Sequence, residues 1–172
     1  MEHRWNVGSI IVMVRGHGGD RRSPIARNVG SLLLADLARE FTGTVVPVLR
    51  LCPTCGATDH GRPVVPGNEL ALSVSYAPGA VAVAAAARDT VEGLGIDIEA
   101  GLPGAEAIPG VCLQDWTRLE AAMKADGRAS LLDPAAASVA RGQISFPSAP
   151  PWSTTVLPAP APFQVAIAYR YP

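Results

Sequence analysis

A five-residue stretch in the middle of the chain, G-I-D-I-E at positions 95–99, constrains the fold more than any other. Two acidic residues alternate with two isoleucines directly after a glycine. Because alternate side chains of a strand share a face, Asp97 and Glu99 point one way and the β-branched isoleucines, which favour strands, point the other. The stretch therefore predicts a strand with an apolar face toward a core and two carboxylates on the opposite face.

The paired carboxylates have two interpretations. Held about 6–7 Å apart on a strand, they repel each other by roughly 3 kcal/mol at an effective dielectric near 20. A hard cation such as Mg²⁺ prefers such oxygen ligands, commonly adds a phosphate and waters, and would remove that repulsion. The alternative is a half-exposed edge strand with two solvated acids, which the pentapeptide alone favours because short patterns recur by chance.

A second stretch, residues 116–127, predicts a helix that ends at Gly127, because alanine, leucine and methionine favour helices and glycine favours the C-cap. Trp116, Glu120 and Lys124 recur every four residues and so share one helix face. One interpretation is a surface Glu–Lys pair that stabilises the helix by about 0.2–0.5 kcal/mol. Beside the acidic strand, however, Glu120 supplies a third carboxylate, with Lys124 one turn away.

Together these stretches resemble a known family. G-I-D-I-E followed by W-T-x-x-E-A-x-x-K-A-x-G resembles the paired motifs of 4′-phosphopantetheinyl transferases of the surfactin-synthetase-activating type. Three upstream segments resemble the same family: D-R-R-S with A-R at 20–27, C-P-T-C-G leading to H-G-R-P at 52–63, and L-S-V-S-Y at 72–76. Five segments in the family's order are far more specific than any one of them.

The resemblance implies an α+β fold of two pseudo-symmetric halves, each a small antiparallel sheet packed on a long helix, as in the 4′-phosphopantetheinyl transferase fold. It divides the chain into an N-terminal half, residues 1–90, and a C-terminal half, residues 91–172. The chain length of 172 residues suits one compact unit of this kind. The active site is expected at the junction of the halves.

The resemblance also implies an activity, the Mg²⁺-dependent transfer of 4′-phosphopantetheine from coenzyme A to a serine of an acyl or peptidyl carrier protein. In this chain Asp97, Glu99 and Glu120 would hold the Mg²⁺. Asp97, Glu120 and Lys124 would be catalytic: Glu120 would accept the serine proton, directly or through a water, and Lys124 would stabilise the leaving adenosine bisphosphate.

The coenzyme would be bound by polar residues from several segments. From the residues alone, Ser23 and Pro24 predict the start of a helix, and Arg22 with the free amides there could hold a phosphate. A solvated arginine cluster is the alternative. The resemblance assigns coenzyme binding to Arg22, Ser23, Arg62, Ser75, Tyr76 and Lys124.

The chain also departs from the family pattern. Tyr76 stands where the family has a histidine, Leu119 where it has a lysine and Ser31 where it has an arginine. Tyrosine donates one hydrogen bond but carries no positive charge at neutral pH. The segment 100–115 is shorter than in other members. A non-catalytic relative that binds coenzyme A or a carrier protein without turnover is therefore the alternative function.

The cysteines raise a separate question. Cys52, Cys55 and His60 offer three zinc-compatible ligands, but a structural zinc site requires four and no second C-x-x-C or H-x3-H exists. The spacing therefore favours a tight thiol turn, leaving a zinc-loop interaction protein as a third, weaker hypothesis. An odd number of cysteines, two of them in C-x-x-C, fits a reducing cytoplasm better than a disulfide scaffold.

Net charge and hydropathy limit the classes of partner that the chain is expected to bind. A formal net charge of −1 argues against broad nucleic-acid binding. The apolar run at 7–14 is too short to span a bilayer and lacks a signal-peptide cleavage site. We therefore expect a cytoplasmic protein whose partners are coenzyme A and a carrier protein, with no nucleic acid and no membrane.

The remaining elements follow from periodicity and turn residues. Pro47 places the strand that contains it at a sheet edge. The tail at 131–162 is rich in proline and alanine and is expected to be weakly structured around Trp152. The predicted elements are a strand at 8–14, a helix at 23–41, a strand at 44–51, a three-strand meander at 70–76, 80–87 and 95–99, and a closing strand at 163–171.

Overall fold

Antiparallel strands are the most abundant regular element of the computed structural model, which describes residues 1–52, 55–128 and 132–172. In chain order the strands and helices are β1 (Glu2–Val7), β2 (Ile10–Gly16), α1 (Pro24–Thr42), β3 (Leu49–Leu51), β4 (Arg62–Val64), β5 (Leu70–Ala77), β6 (Ala80–Ala87), β7 (Gly93–Ala100), β8 (Glu106–Ile108), β9 (Val111–Cys112), α2 (Leu113–Asp126), β10 (Ser138–Ala140), β11 (Gln143–Ser145), β12 (Trp152–Leu157) and β13 (Phe163–Arg170).

Two sheets dominate this arrangement. The first has the order β1-β2-β6-β5, and the second has the order β10-β11-β12-β13-β7. All the pairings in them are antiparallel. Two small hairpins, β3–β4 and β8–β9, stand apart from the large sheets.

The largest hydrophobic core lies between the two sheets. Alternating apolar side chains on facing strands fill it, and the alanines of β6 let the sheets approach closely because their side chains are small. Its largest fully buried members are Ile10, Val12, Val14, Ile96, Ile98 and Ile167.

The two helices cover the outer faces of the sheets. Helix α1 places Leu33, Leu34 and Leu37 on the first sheet, and α2 packs against β7 and β13 of the second. Ser23 caps α1 by accepting a hydrogen bond from the Ala26 amide, with a proline at the first helical position. This start and the end of α2 at Gly127 agree with the sequence prediction.

The predicted α+β fold of two pseudo-symmetric halves, each a small antiparallel sheet packed on a long helix, is wrong. Strands account for 41% and helix for 23% of the structure, and the described residues contain only two α-helices, of 19 and 14 residues. The prediction failed because each sheet buries an apolar face against the other sheet, and because sequence expected to be weakly structured adds β10, β11 and β12 to the second sheet.

The predicted three-strand meander is also wrong. Strands β5 and β6 pair as expected, but β7 pairs with β13 in the second sheet. The connection at 88–92 carries the chain from one sheet to the other, so that β5 and β7 are edge strands of different sheets. The Ser73 hydroxyl accepts a hydrogen bond from the Ile96 amide at 3.0 Å, which satisfies a backbone donor on the edge of β7.

Other local predictions have mixed outcomes. The strand predicted at 8–14 corresponds to β2, and β1 pairs with it as a hairpin that periodicity missed. The strand predicted at 44–51 is limited to β3, because residues 45–48, including Pro47, lie outside any strand. The closing strand corresponds to β13. None of the helices in the described residues is long and apolar enough to cross a membrane.

Helix α2 lies directly against β7, and a glycine makes this possible. A Cβ atom placed on Gly95 would lie 2.0 Å from the Ala121 carbonyl oxygen and 2.6 Å from the Ala125 amide nitrogen. Both contacts are with backbone atoms, which cannot rotate away. The glycine of the G-I-D-I-E stretch therefore sets the distance between the acidic strand and the helix that carries Glu120 and Lys124.

We predict that Gly95→Ala destabilises the protein by about 1–3 kcal/mol, as overpacking in a well-packed interior does. Urea unfolding followed by circular dichroism measures the change in the free energy of unfolding. Gly104→Ala is the matched control, because a Cβ at Gly104 meets no atom within 4 Å. Equal stability of the two variants would contradict the close approach of α2 to β7.

Candidate functional site

The acidic strand, the second helix and β5 meet at one buried carboxylate. Asp97 is only 2% exposed. Its Oδ1 accepts hydrogen bonds from the Ser75 hydroxyl at 2.7 Å and from the Lys124 ammonium at 2.6 Å. Lys124 also donates to the Ser75 Oγ at 2.8 Å. Although β7 is an edge strand, Asp97 is therefore not a solvated acid, as the alternative interpretation of the pentapeptide required.

The second oxygen of this carboxylate is not used. Asp97 Oδ2 is buried and has no hydrogen-bond partner among the described residues. A buried charged oxygen without a partner is costly, because it has lost its water without gaining a donor. This atom therefore has the capacity to accept a further donor or to ligate a cation.

Two more carboxyls lie within electrostatic reach of Asp97. Burial, and then the negative charge of Asp97, raise the pKa of Glu99 above its ordinary value of 4.5. The same two causes, in the same order, raise the pKa of Glu120. The positive charges of Lys124 and Arg21 oppose the shift at both carboxyls. The three acids that the sequence analysis grouped are therefore electrostatically coupled in the fold.

Arg21 was not predicted as a site residue, although its neighbour Arg22 was. Both side chains are exposed, but it is the charge of Arg21 that acts on Glu99 and Glu120. Both arginines belong to the same D-R-R-S segment, so the sequence located the segment but did not distinguish between its two arginines.

The three carboxyls have the chemistry of a site for a hard cation. All their donor atoms are oxygens, one of which is buried and unpartnered, and the mutual repulsion that raises two pKa values would fall on binding a cation. Their oxygens do not all lie within 4.8 Å of one another. Lys124 meanwhile supplies a positive charge to Asp97 Oδ1.

A cavity of about 730 Å³ adjoins this cluster, and Lys124 belongs to its lining. Six basic residues and two acidic residues line the cavity, so a positive potential dominates it. The basic residues are Arg50, Arg62, Arg88, Lys124, Arg128 and Arg170, and the acidic ones are Glu92 and Asp126.

The acids of the cavity do not neutralise all of its cations. Arg170 forms an ion pair with Glu92, and Arg128 with Asp126. The remaining three arginines, at 50, 62 and 88, have no carboxylate partner within the described parts of the chain. Arginine side chains that converge without counter-charges are typical of a site for phosphate groups.

Arg88 shows how close these charges are. Burial, and then the positive charge of Arg62, lower the pKa of Arg88 from its ordinary value. Its Nε is buried and has no hydrogen-bond partner in the described parts of the chain, while its Nη2 donates to the Leu70 carbonyl and the Asn68 side chain, both at 3.3 Å. An anion in the cavity would relieve the repulsion between the two guanidinium groups.

The structure separates the residues predicted to bind the coenzyme. Arg62 and Lys124 line the cavity. Ser75 lies beside Asp97, outside the lining, and Ser23 is occupied by capping α1. Of the side chains that line the cavity, Arg50, Arg88, Arg128 and Arg170 were not predicted, because they come from strands and loops distant in sequence and no motif contains them.

Tyr76 faces the layer of α1, away from Asp97. A Cβ atom at Gly30 of α1 would lie 2.6 Å from the Tyr76 hydroxyl, so the ring packs closely on that helix. The same hydroxyl accepts a hydrogen bond from the Arg50 guanidinium at 3.0 Å. Tyr76 therefore orients a cation of the cavity and does not itself line it.

The cysteine loop forms a separate cluster. Cys52, Cys55 and His60 offer ligand atoms that all lie within 4.8 Å of one another. The Cys55 Sγ is 3.4 Å from the His60 Nε2, and the His60 Nδ1 is 2.7 Å from the Asp59 carboxylate. The two residues between the cysteines in the C-x-x-C segment, at 53 and 54, lie outside the described residues.

Comparisons with known proteins give no identity: no family model matches the chain, and no curated protein matches it. The resemblance to phosphopantetheinyl transferases therefore stays a hypothesis. It depends on the five sequence segments and on where their residues lie in the fold.

We predict that Glu120→Gln stabilises the protein at neutral pH but not in acid. Because the pKa of Glu120 is higher in the folded chain than in the unfolded one, ionisation of this carboxyl costs stability as the pH rises from 4.5 through the folded-state value. Glutamine cannot ionise, so the variant gains unfolding free energy relative to the native chain over that window. Urea unfolding at about pH 4 and about pH 8, without divalent metal, measures the difference.

Glu69→Gln is the control for this experiment, because Glu69 is exposed and far in sequence from the three acids. Comparison of the two variants separates the effect of the Glu120 charge from the general effect of replacing a carboxyl by an amide. A stabilisation by Glu120→Gln that is equal at both pH values would mean that a change in packing, and not the charge of Glu120, is responsible.

Proposed function

We propose that the protein transfers 4′-phosphopantetheine from coenzyme A to a serine of an acyl or peptidyl carrier protein. One observation carries this proposal: Lys124 links a cluster of three coupled carboxyls to a cavity rich in arginines. A cation-binding cluster beside a polyanion-binding cavity suits a substrate whose pyrophosphate must be neutralised while it is cleaved.

The cavity suits the nucleotide end of coenzyme A. Its volume of about 730 Å³ is within the range of small-molecule sites. Coenzyme A carries a 3′-phosphate and a pyrophosphate, and Arg50, Arg62 and Arg88 offer charges that no carboxylate in the described chain neutralises. Charge-assisted hydrogen bonds from arginine to phosphate are about twice as strong as neutral ones.

Asp97, Glu99 and Glu120 would hold Mg²⁺ at the edge of this cavity. Asp97 would contribute the Oδ2 that has no partner among the described residues. When bound, Mg²⁺ would neutralise the negative charge of the pyrophosphate, including the charge that develops during the transfer. Loss of the carboxylate repulsion favours binding of the ion.

The chain's own residues would handle the proton and the leaving group. The serine oxygen of the carrier protein forms a bond to the phosphorus of the phosphopantetheine, the bond from that phosphorus to the pyrophosphate bridging oxygen breaks, and adenosine 3′,5′-bisphosphate leaves. Glu120 would accept the serine proton, directly or through a water. Lys124 donates to the leaving phosphate.

A second function has an observation in its favour. Lys124 already gives Asp97 a positive partner at 2.6 Å, so the buried carboxylate is neutralised by the chain itself. A relative that binds coenzyme A or a carrier protein without turnover would need only such a pair and the arginine cavity. For either function we propose a location in the cytoplasm, because the thiols of a C-x-x-C pair stay reduced there.

We predict that incubation with coenzyme A, Mg²⁺ and a panel of apo carrier proteins adds one phosphopantetheine to a carrier, as read by intact mass spectrometry. Asp97→Asn should lower the rate by at least a hundredfold, because the amide has no charge for the metal or for Lys124. Asp36→Asn is the control, since Asp36 is exposed on α1 and its ion pair among the described residues is with Arg39 of the same helix. Full transfer by Asp97→Asn, or in excess chelator, would overturn the metal assignment.

Binding of coenzyme A, measured apart from its transfer, distinguishes the two functions. We predict that the cavity arginines contribute to this binding. Arg62→Ala and Arg88→Ala should each weaken binding of coenzyme A about ten- to a hundredfold, the scale of a hydrogen bond to a charged group. Arg141→Ala, at an exposed turn, should leave binding unchanged. Isothermal titration calorimetry with coenzyme A measures the dissociation constant of each variant. A titration with dephospho-coenzyme A, which lacks the 3′-phosphate, shows how much of the loss concerns that phosphate.

Binding without transfer to any carrier would favour the non-catalytic relative. Affinity unchanged in the Arg62 and Arg88 variants would mean that the cavity does not hold the coenzyme phosphates.

A further inference from the structure

We propose that Cys52, Cys55 and His60 form a binding site for Zn²⁺, separate from the carboxyl cluster and independent of the proposed function. Among the described residues this is the set of metal-ligating side chains whose ligand atoms all lie within 4.8 Å of one another. Two thiolates and an imidazole are the soft and borderline ligands that favour zinc over Mg²⁺.

The spacing of the ligand atoms suits a tetrahedral ion. Zinc lies about 2.3 Å from a cysteine sulfur and about 2.05 Å from a histidine nitrogen, so a tetrahedral S–Zn–N angle separates sulfur and nitrogen by about 3.5 Å. The observed distance from Cys55 Sγ to His60 Nε2 is 3.4 Å.

The histidine is also oriented for metal binding. His60 Nδ1 is 2.7 Å from the Asp59 carboxylate, and a carboxylate accepts, so Nδ1 carries the proton in that bond. The neutral imidazole then has its lone pair on Nε2, which lies 3.4 Å from the Cys55 sulfur. A carboxylate that holds the other ring nitrogen is the usual outer partner of a zinc-bound histidine.

The backbone of the loop brings the ligands together. The Gly56 amide donates to the Cys52 carbonyl and the Cys52 amide to the Ala57 carbonyl, both at 2.9 Å, which folds the chain back after Cys55. Gly61, with φ +97°, leaves no room for a Cβ: one would lie 2.3 Å from the Leu51 carbonyl oxygen. The loop therefore closes tightly between β3 and β4.

Sequence spacing alone argued against zinc because a fourth protein ligand is missing. The exposure of Cys55 and His60 answers this objection, because water can occupy the fourth position of an exposed site. The ion would join the two ends of the β3–β4 hairpin, which carries Arg50 and Arg62.

The test uses the full-length, reduced protein and metal ions alone. Elemental analysis of protein dialysed against equimolar Zn²⁺ should find about one zinc per chain. Co²⁺ as a spectroscopic substitute should give a thiolate-to-cobalt charge-transfer band that Cys55→Ser reduces by about half, since one of two thiolates is lost. Cys112→Ser is the matched control and should not alter the band, because Cys112 lies at the start of α2.

Two further measurements address positioning and folding. Asp59→Asn should weaken Zn²⁺ binding about ten- to a hundredfold, the usual effect of losing the outer partner of a histidine ligand. Zn²⁺ should slow amide exchange within residues 49–51 and 62–64, which identifies the binding region even if a cysteine variant folds poorly. The absence of a charge-transfer band, an equal loss of the band in Cys112→Ser, or unchanged exchange in the hairpin would each overturn the proposal and leave only a thiol–imidazole hydrogen bond.

Discussion

The buried Asp97 carboxylate and its bonds to Ser75 and Lys124 are the interaction on which the junction of this protein depends. A carboxylate at 2% exposure is tolerated only when charged and polar donors replace its water. The three residues come from β5, β7 and α2, which are parts of both sheets and of the second helix. Removing one partner would leave a buried charge uncompensated, so the carboxylate fixes where the edges of the two sheets meet.

Charge is separated along this junction. The carboxyls of Glu99 and Glu120 are coupled to Asp97, since burial and the charge of Asp97 raise both pKa values. The arginine-rich cavity includes Lys124 in its lining. A fold gains nothing in stability from gathering like charges, since they repel in both clusters. Two clusters of like charge at one junction are expected where a ligand neutralises them.

The sequence predicted the local elements better than their assembly. Ser23, Pro24 and Gly127 mark helix ends because capping is a local interaction, and the alternation at 95–99 correctly predicted a strand whose isoleucines are buried. Strand partners are not local. Nothing in residues 88–92 indicates that β7 leaves β6 and joins β13, so the meander and the two-halves fold were wrong. The three-residue strands β10 and β11 show too few periods for a pattern.

The site was predictable in the same uneven way. Asp97, Glu120 and Lys124 were grouped from two motifs because one strand and one helix fix their spacing. Arg50 and Arg88 were missed because they reach the cavity only through the packing of the first sheet and the β3–β4 hairpin, which no single segment encodes. Arg21 was missed in favour of Arg22 because the two are adjacent in one motif, and only the fold decides which of the two charges acts on the carboxyls.

Tyr76 shows how a departure from a family pattern can be compensated elsewhere. A histidine at this position would carry part of a positive charge, and tyrosine carries none at neutral pH. The Tyr76 hydroxyl instead accepts a hydrogen bond from the guanidinium of Arg50, which lines the cavity. If coenzyme phosphates occupy the cavity, Arg50 supplies the positive charge and Tyr76 fixes the direction of its guanidinium. An arginine that comes from β3 then takes the place of the charge that a histidine would carry at position 76.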